Sequence, residues 1–585
     1  MREPTPLPLA GATVNALVAH WARQQPDADA FIFLGAENVE KERLTYAQLA
    51  QASRGLARTL GAQAAPGARV LLMFEPGLAF VAAFFACHHA GMVPVPVVPV
   101  RKGRMRDAAV AVARDCGPGL LLCTPGQAAH AREALAGEEA LRALPIAEVQ
   151  LDAAIAAGAA DADGQPAREA PLAFLQYTSG STSAPKGVVV TQANLFANLE
   201  MMRVAMRNPW GASYVGWAPL YHDMGLIANV LEPFWLGGRC VLMAPAQMAQ
   251  SPWLWLRAVS HYRAHTSGGS NFAYELCLQR AARILAQPLD LSCWKVAFNS
   301  AEPVRADTIE RFCATFAAAG FARHAMYPCF GLAEATLLVS GGGDAPRPVL
   351  REVDRSLLEQ GVVAAPVSAG DARPLVGCGA PMQGTGIAIV DPDSGQALAP
   401  GRIGEIWVRG AHIPAGYWNN PAASAETFHA VIEGDAARVP HLRTGDLGFL
   451  EDGELYVTGR RKDLLIVRGR NLYPQDIERA AQAAHPGLGV AVAFPLEEER
   501  IGLVVEVERQ HRRGFDALAA AAAVRQAVMQ EFEVSLHAVR FVAPGSVPVT
   551  SSGKVRRKET LRRFVAQALE EVGAAAQNQA APTEA

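Results

Sequence analysis

The sequence is short of several things, and each shortage excludes something. Its nine cysteines are scattered and odd in number, with no Cys-x-x-Cys pair. That argues against a disulfide framework and a zinc site, and fits a reducing cytoplasm. The most apolar stretch, LAFVAAFFAC at residues 78–87, stops at His88-His89. It is too short to span a bilayer, so no transmembrane segment is expected. The N-terminal MREPTPLPLAGATV has no basic region followed by an apolar run, so no signal peptide is expected either. Charge of one sign is also lacking: the formal net charge is -3, which gives no overall field toward nucleic acid or a membrane. What remains is globular in composition, with 50% hydrophobic and 19% charged residues. At 585 residues the chain exceeds a single core, so two or more domains are expected.

No internal repeat is evident. Residues 12–62 read as helices around one short strand, FIFLG. ARVLLMF at 68–74 reads as a buried strand, the apolar run after it as a buried helix, and VPVPVVPV as extended chain. Strands and helices alternate to about residue 340, which predicts α/β layers with parallel sheets. From about 375 the texture changes to short strands separated by DPDSG and APG turns, predicting a small β-rich subdomain. GELYVTGR and DLLIVRG read as a hairpin pair, and residues 515–533 as an Ala-rich amphipathic helix. The tail from about 571 is small, polar and expected to be disordered. Between the two textures, residues 347–377 are polar and mixed, with a helix-like LREVDRSLLEQ.

The stretch YTSGSTSAPKGVVV at 177–190 runs from small hydroxyl and glycine residues through Pro-Lys-Gly into a β-branched strand. Such a loop can wrap phosphate, because its N–H groups and hydroxyls are donors and glycine admits close approach. It is not a Walker A loop, since Pro185 and Gly187 flank Lys186. Alone it is equally a hairpin connection. It is followed in order by WAPLYHDMGLI, NSAEPV, YPCFGLAEAT, LRTGDLGFL, VTGRRKDLLIVRGRNLYPQDIE and PVTSSGKVRR. This ordered set, over roughly residues 15–565, resembles the adenylate-forming superfamily of acyl-CoA synthetases, peptide-synthetase adenylation domains and luciferases. YHDMGLI, NFAYELC, NSAEPV, FGLAEATL, LRTGDLGFL and RGRNLYPQDIE are phrased as in its fatty acyl-AMP ligase branch. Residues 347–377 fall where that branch carries an insertion.

The resemblance implies a carboxylate attacking the α-phosphate of ATP to give acyl-AMP and pyrophosphate, with charge building on phosphate oxygens. Thr178, Ser179, Gly180, Ser181, Thr182 and Lys186 would cradle the β- and γ-phosphates. Glu334 would hold Mg²⁺, a hard cation that takes carboxylate oxygen; a dipole-capping role is the plainer alternative. Asp446 would accept from the ribose hydroxyls. Arg460 would contact ribose or phosphate, or else pair between domains. Asn299, Ser300, Ala301 and Glu302 would form a backbone wall beside adenine. Phe330, next to Gly331, stands where most relatives have a stacking tyrosine; the ring face is kept and the phenolic hydroxyl lost. His222 would orient the acyl carboxylate near the α-phosphate, while Asp223 is read as structural. Lys554 would reach in as a point charge bridging carboxylate and α-phosphate. Lys462, in GRRKD, matches the family's hinge.

The expected fold is therefore α/β. Residues 1–460 form a large N-terminal AMP-binding domain of two α/β layered subdomains plus a β-rich subdomain, with the insertion at about 347–377. Residues 461–570 form a small mobile C-terminal α/β domain. The implied function is ATP- and Mg²⁺-dependent activation of a medium- or long-chain fatty acid, then transfer to the phosphopantetheine thiol of a holo acyl carrier protein. No carrier domain is visible in the sequence, so a separate partner is expected. The basic run KVRRKETLRRF at 554–564 is a solvated helix face or a docking surface for that acidic partner. A fatty tail needs apolar walls, and residues 217–234 and SGGSNFAYELC are the candidates. A fatty acyl-CoA synthetase would share every ATP motif, and the insertion is the discriminating feature. A non-catalytic acyl- or nucleotide-binding protein would have little use for Lys554.

Overall fold

Aliphatic runs flanked on both sides by helices become strands buried on both faces. Arg69–Met73 is one, and it lies inside a four-stranded parallel sheet ordered Val93–Pro96, Arg69–Met73, Leu120–Cys123, Ile146–Glu148. The helix Leu78–His89 is buried over nearly its whole circumference, as its uninterrupted apolar sequence requires. These observations come from a computed structural model that describes residues 5–100, 104–161, 166–178, 185–343, 347–549 and 555–572. Among the described residues no helix is long and apolar enough to cross a membrane.

A second, seven-stranded sheet is ordered Met326–Pro328, Val296–Asn299, Thr266–Gly269, Tyr214–Gly216, Cys240–Met243, Asp29–Leu34, Glu40–Thr45. Its pairings are parallel except at the last strand. Residues 12–62 thus hold two strands where the sequence suggested one. A turn with Glu37 and Asn38 at φ 51° and 61° folds the polar EKERLT segment back as an antiparallel edge, where polar side chains are tolerated. A hairpin, Phe174–Thr178 with Lys186–Val190, stands apart from both sheets.

The β-rich part is a five-stranded sheet built on Gly386–Val390, Gly404–Arg409 and the long strand Pro440–Glu451. GELYVTGR and DLLIVRG do not pair with each other. Glu454–Arg460 pairs with Pro440–Glu451, and Leu465–Val467 pairs with Arg470–Leu472. Each strand has a nearer partner across a tight turn, and the short helical turn Arg461–Asp463 separates the two hairpins. Beyond it, a separate core packs the strands Leu488–Pro495, Ile501–Val507 and Leu536–Val542 with the helices Pro474–Ala483 and Ala517–Phe532.

The 347–377 segment is not helical throughout. Leu350–Asp354 is a strand paired antiparallel with Ala372–Val376, and only Arg355–Glu359 is helix. Asp354 caps that helix, its carboxylate accepting from Leu357 N at 2.9 Å, so the chain changes from strand to helix at an N-cap. Val353, Leu358 and Leu375 pack with Phe449 and Tyr456 of the β-rich sheet and with Tyr473 beyond the turn Arg461–Asp463.

Candidate active site

Loops leaving the carboxyl ends of parallel strands form the ligand crevice of open α/β sheets. Several candidate residues leave that edge of the seven-stranded sheet. Asn299 ends the strand Val296–Asn299, and Ser300, Ala301 and Glu302 follow it. Phe330 and Gly331 come just after Met326–Pro328. His222 and Asp223 lie in the segment after Tyr214–Gly216.

Asn299 is fully buried. Its Nδ2 donates to Asn271 Oδ1 at 3.3 Å, while its Oδ1 has no partner among the described residues. A buried amide oxygen without a donor is costly, and an exocyclic amine would satisfy it. Ser300 N donates to Gly269 O, and Ala301 has φ 74°. The Glu302 carboxylate accepts from Phe272 N at 2.7 Å, at the start of the helix Asn271–Gln279. Its side chain is thus committed to that helix. Phe330 is buried, and at Gly331 a Cβ would lie 2.0 Å from Leu337 O, so only glycine fits.

Glu334 sits on the short turn Ala333–Ala335 and accepts from the Tyr417 hydroxyl at 3.0 Å. Burial raises its pKa; Tyr417 and Arg460 oppose the shift and Asp223 adds to it. Glu334, Asp223 and Arg460 therefore share one electrostatic environment. His222 Nδ1 lies 2.5 Å from Asp223 Oδ1 without a hydrogen bond between them. Asp223 Oδ1 accepts from Met224 N at 2.6 Å and opens a wide helix, Met224–Leu231, with five-residue hydrogen-bond spacing. Such wide turns are rare and concentrate at functional sites. The two candidate apolar walls meet: the Trp217 ring covers Gly269, where a Cβ would lie 2.1 Å from it, and meets Phe272 edge-on at 5.9 Å.

Thr178 and Lys186 are register partners closing the hairpin of the Ser/Thr/Gly loop. Ser179, Gly180, Ser181 and Thr182 lie outside the described residues, as do Lys554 and the tail 573–585. Lys186 Nζ stands 4.9 Å from the centroid of the Tyr417 ring. Asp446 and Arg460 face each other across the strands Pro440–Glu451 and Glu454–Arg460, and Arg460 Nε donates to Asp446 Oδ1 at 3.0 Å. Arg460 is thus paired within its own sheet rather than between domains. Lys462 lies on the turn Arg461–Asp463. Sequence reasoning missed Tyr417, which touches both Lys186 and Glu334. Its context, AGYWNNP, carries no charged signal that could have marked it.

Glu334 supplies a hard carboxylate oxygen, Asp446 a buried carboxylate, Lys186 a cation, and Asn299 an orphaned acceptor. This donor set fits Mg-ATP. A cavity of about 440 Å³ near Asn15, Arg54 and His89 contains none of these residues, and belongs to the outer helices of the first sheet.

Residues 18–418 match the family model of AMP-binding enzymes, and residues 462–573 match that of the Disco-interacting protein 2-like AMP domain. The medium-chain-fatty-acid–acyl-carrier-protein ligase JamA of Moorena producens is 36% identical, over 96% of this chain and 96% of its own. The corresponding ligase TtuA of Teredinibacter turnerae is 32% identical, over 94% and 92%. The crystal structure of the fatty acyl-adenylate ligase of L. pneumophila with acyl adenylate and pyrophosphate is 34% identical, at TM-score 0.73 over 97% of this chain and 98% of that one. A fatty acyl-adenylate ligase from work on the E. coli and L. pneumophila enzymes reaches TM-score 0.84 at 33% identity, over 96% and 100%. With that likeness running the length of both chains, this protein belongs to the AMP-binding enzymes, as an adenylate-forming ligase of their fatty acyl-AMP ligase branch.

Proposed function

We propose that this enzyme activates a medium- or long-chain fatty acid with Mg-ATP and passes the acyl group to a separate holo acyl carrier protein. A carboxylate oxygen attacks the α-phosphate and pyrophosphate leaves. The phosphopantetheine thiolate then attacks the acyl carbonyl of the adenylate, and AMP leaves. The observation that carries this reading is the linkage of Lys186, Glu334 and the Asp446–Arg460 pair through Tyr417 and shared electrostatics, with Asp223 beside Glu334. Lys186 and residues 178–182 take the β- and γ-phosphates, Asp446 the ribose, and residues 299–302 with Phe330 the base. His222 orients the acyl carboxylate, and Lys554 bridges it to the α-phosphate. Glu334 would hold Mg²⁺, which would supply positive charge against the phosphate oxygens. The nine free cysteines suit a reducing cytoplasm.

The insertion's contacts favour acyl-AMP ligation over acyl-CoA synthesis. Arg355 pairs with Glu531 at 3.0 Å and lies over the Phe532 ring, and Arg470 pairs with Glu359 at 2.7 Å. Arg373 pairs with Asp476 at 3.0 Å and covers the Tyr473 ring at 4.3 Å. The insertion therefore binds the part beyond Lys462, the part that would swing about the hinge for CoA transfer. The test is a product assay. Enzyme, Mg-ATP and a panel of fatty acids are incubated with or without CoA or holo carrier protein, and products are read by mass spectrometry. Acyl-AMP that persists with CoA and disappears onto the carrier is expected. Efficient acyl-CoA formation would make the enzyme a CoA synthetase, and absence of any adenylate would refute activation altogether.

A further inference from the structure

Lys186 and Glu334, one basic and one acidic side chain, both touch Tyr417. Among the described residues, however, Lys186 makes no ion pair; its ammonium rests on an aromatic face. That face belongs to Tyr417, whose hydroxyl donates to Glu334 Oε1 at 3.0 Å. One residue thus touches both, the cation at its ring face and the carboxylate at its hydroxyl.

The ring is held firmly. Trp418 N donates to Gly187 O at 2.7 Å and Val189 N to Gly416 O at 3.0 Å, so Tyr417 forms an isolated antiparallel bridge to Val188 of the hairpin. Tyr417 N donates to Ser424 Oγ at 2.9 Å, and the ring meets Phe428 edge-on at 5.0 Å. Tyr417 is 8% exposed, so neither backbone nor ring is free to move aside. An ammonium and a carboxylate with nothing between them close into an ion pair, and each is then spent on the other. A ring holds the ammonium by its quadrupole without neutralising it. A phenol holds the carboxylate by one hydrogen bond and leaves its remaining lone pairs open.

Resting on the functional reading above, we propose that Tyr417 is a positioning residue that keeps Lys186 and Glu334 from pairing with each other. It holds the first ready for phosphate and the second ready for the divalent cation. The hydroxyl acts on the metal side and the ring on the phosphate side, so the two functions are separable by substitution.

The test measures binding of α,β-methylene-ATP by calorimetry, with and without Mg²⁺, for wild type, Tyr417→Phe and Tyr417→Leu. Steady-state adenylation and thermal unfolding are run alongside. Tyr417→Phe should bind the analogue without Mg²⁺ as wild type does, but lose about tenfold of the affinity that Mg²⁺ adds, the scale of one hydrogen bond to a charged group. Its KM for Mg-ATP should rise while kcat falls less. Tyr417→Leu removes the spacer, so binding should weaken both with and without Mg²⁺, and Lys186→Met in that background should restore part of the Mg²⁺ gain by freeing Glu334. Equal loss in both conditions for Tyr417→Phe would mean a merely structural role and overturn the proposal. So would unchanged binding in both variants. If wild type itself fails to bind the analogue, the nucleotide reading falls, and that outcome is distinct from either result on Tyr417.

Discussion

At the scale of single residues, Asp446 shows how the fold prepares a polar group for a ligand. It is 5% exposed and accepts a hydrogen bond from Arg460, its register partner across the hairpin. Asp446→Asn keeps the shape but turns a charge-assisted acceptor into a weaker one. Hydrogen bonds to charged groups contribute about 1.5–3 kcal/mol, so KM for ATP should rise roughly 10- to 100-fold, with kcat changed less. An unchanged KM would remove Asp446 from the nucleotide site. Lys554→Ala should instead lower the adenylation rate about 10²- to 10³-fold at saturating ATP, because in the proposed mechanism its contact forms as charge moves onto the α-phosphate. Pyrophosphate release distinguishes the two, as Asp446→Asn is rescued by high ATP and Lys554→Ala is not.

At the scale of elements, the insertion is a strand–helix–strand clasp whose charged side chains reach beyond the hinge turn. Glu359 is buried and paired with Arg470, and Arg355 holds Glu531 through both its carboxylate and its backbone oxygen. Removing Arg470 leaves a buried carboxylate without its cation, a change that costs about 3–5 kcal/mol in buried pairs. The Arg355→Ala/Arg470→Ala double variant should therefore loosen the region from 465 to 541. Faster amide exchange confined to that region, together with new acyl-CoA product, is expected. Faster exchange without acyl-CoA would show that the clasp is not what excludes CoA. The sequence showed where the clasp lies but not its shape, since REVD and RSLLE divide into strand and helix at the Asp354 cap, a tertiary choice. The hairpin partners of GELYVTGR and DLLIVRG were likewise misjudged. Both segments are strands, and their pairing is decided by turns that pattern does not encode. By contrast, the parallel strands were legible because two-sided burial leaves uninterrupted aliphatic runs. The candidate site residues could be named from the sequence because their charges and glycines fall in the ordered motifs. Tyr417 was not, because an aromatic ring in a strand-like run is indistinguishable from core until its neighbours are known.

At the scale of the whole molecule, two histidines far apart in sequence make stability depend on pH. His88 and His412 are 0% exposed, and burial holds their pKa values down at about 3 and about 4. Neither His88 Nε2 nor either ring nitrogen of His412 has a hydrogen-bond partner among the described residues, and at His88 burial outweighs the opposing effect of the Ala173 backbone. Burial shifts His265 and His441 in the same direction. In the unfolded chain a histidine titrates near 6.5. As pH falls below that value the unfolded state takes up protons that the folded state refuses, so stability is full above about 6.5 and is lost on acidification. At pH 5 the loss is about 2 kcal/mol for each of His88 and His412, or about 4 kcal/mol for the pair. Urea unfolding at steps from pH 7.5 to 5 should show this decline. The His88→Gln/His412→Gln variant should show a shallower slope whatever its absolute stability, because glutamine has no proton to gain. A slope unchanged by both substitutions would assign the acid sensitivity to other groups and mean that these two rings protonate within the fold.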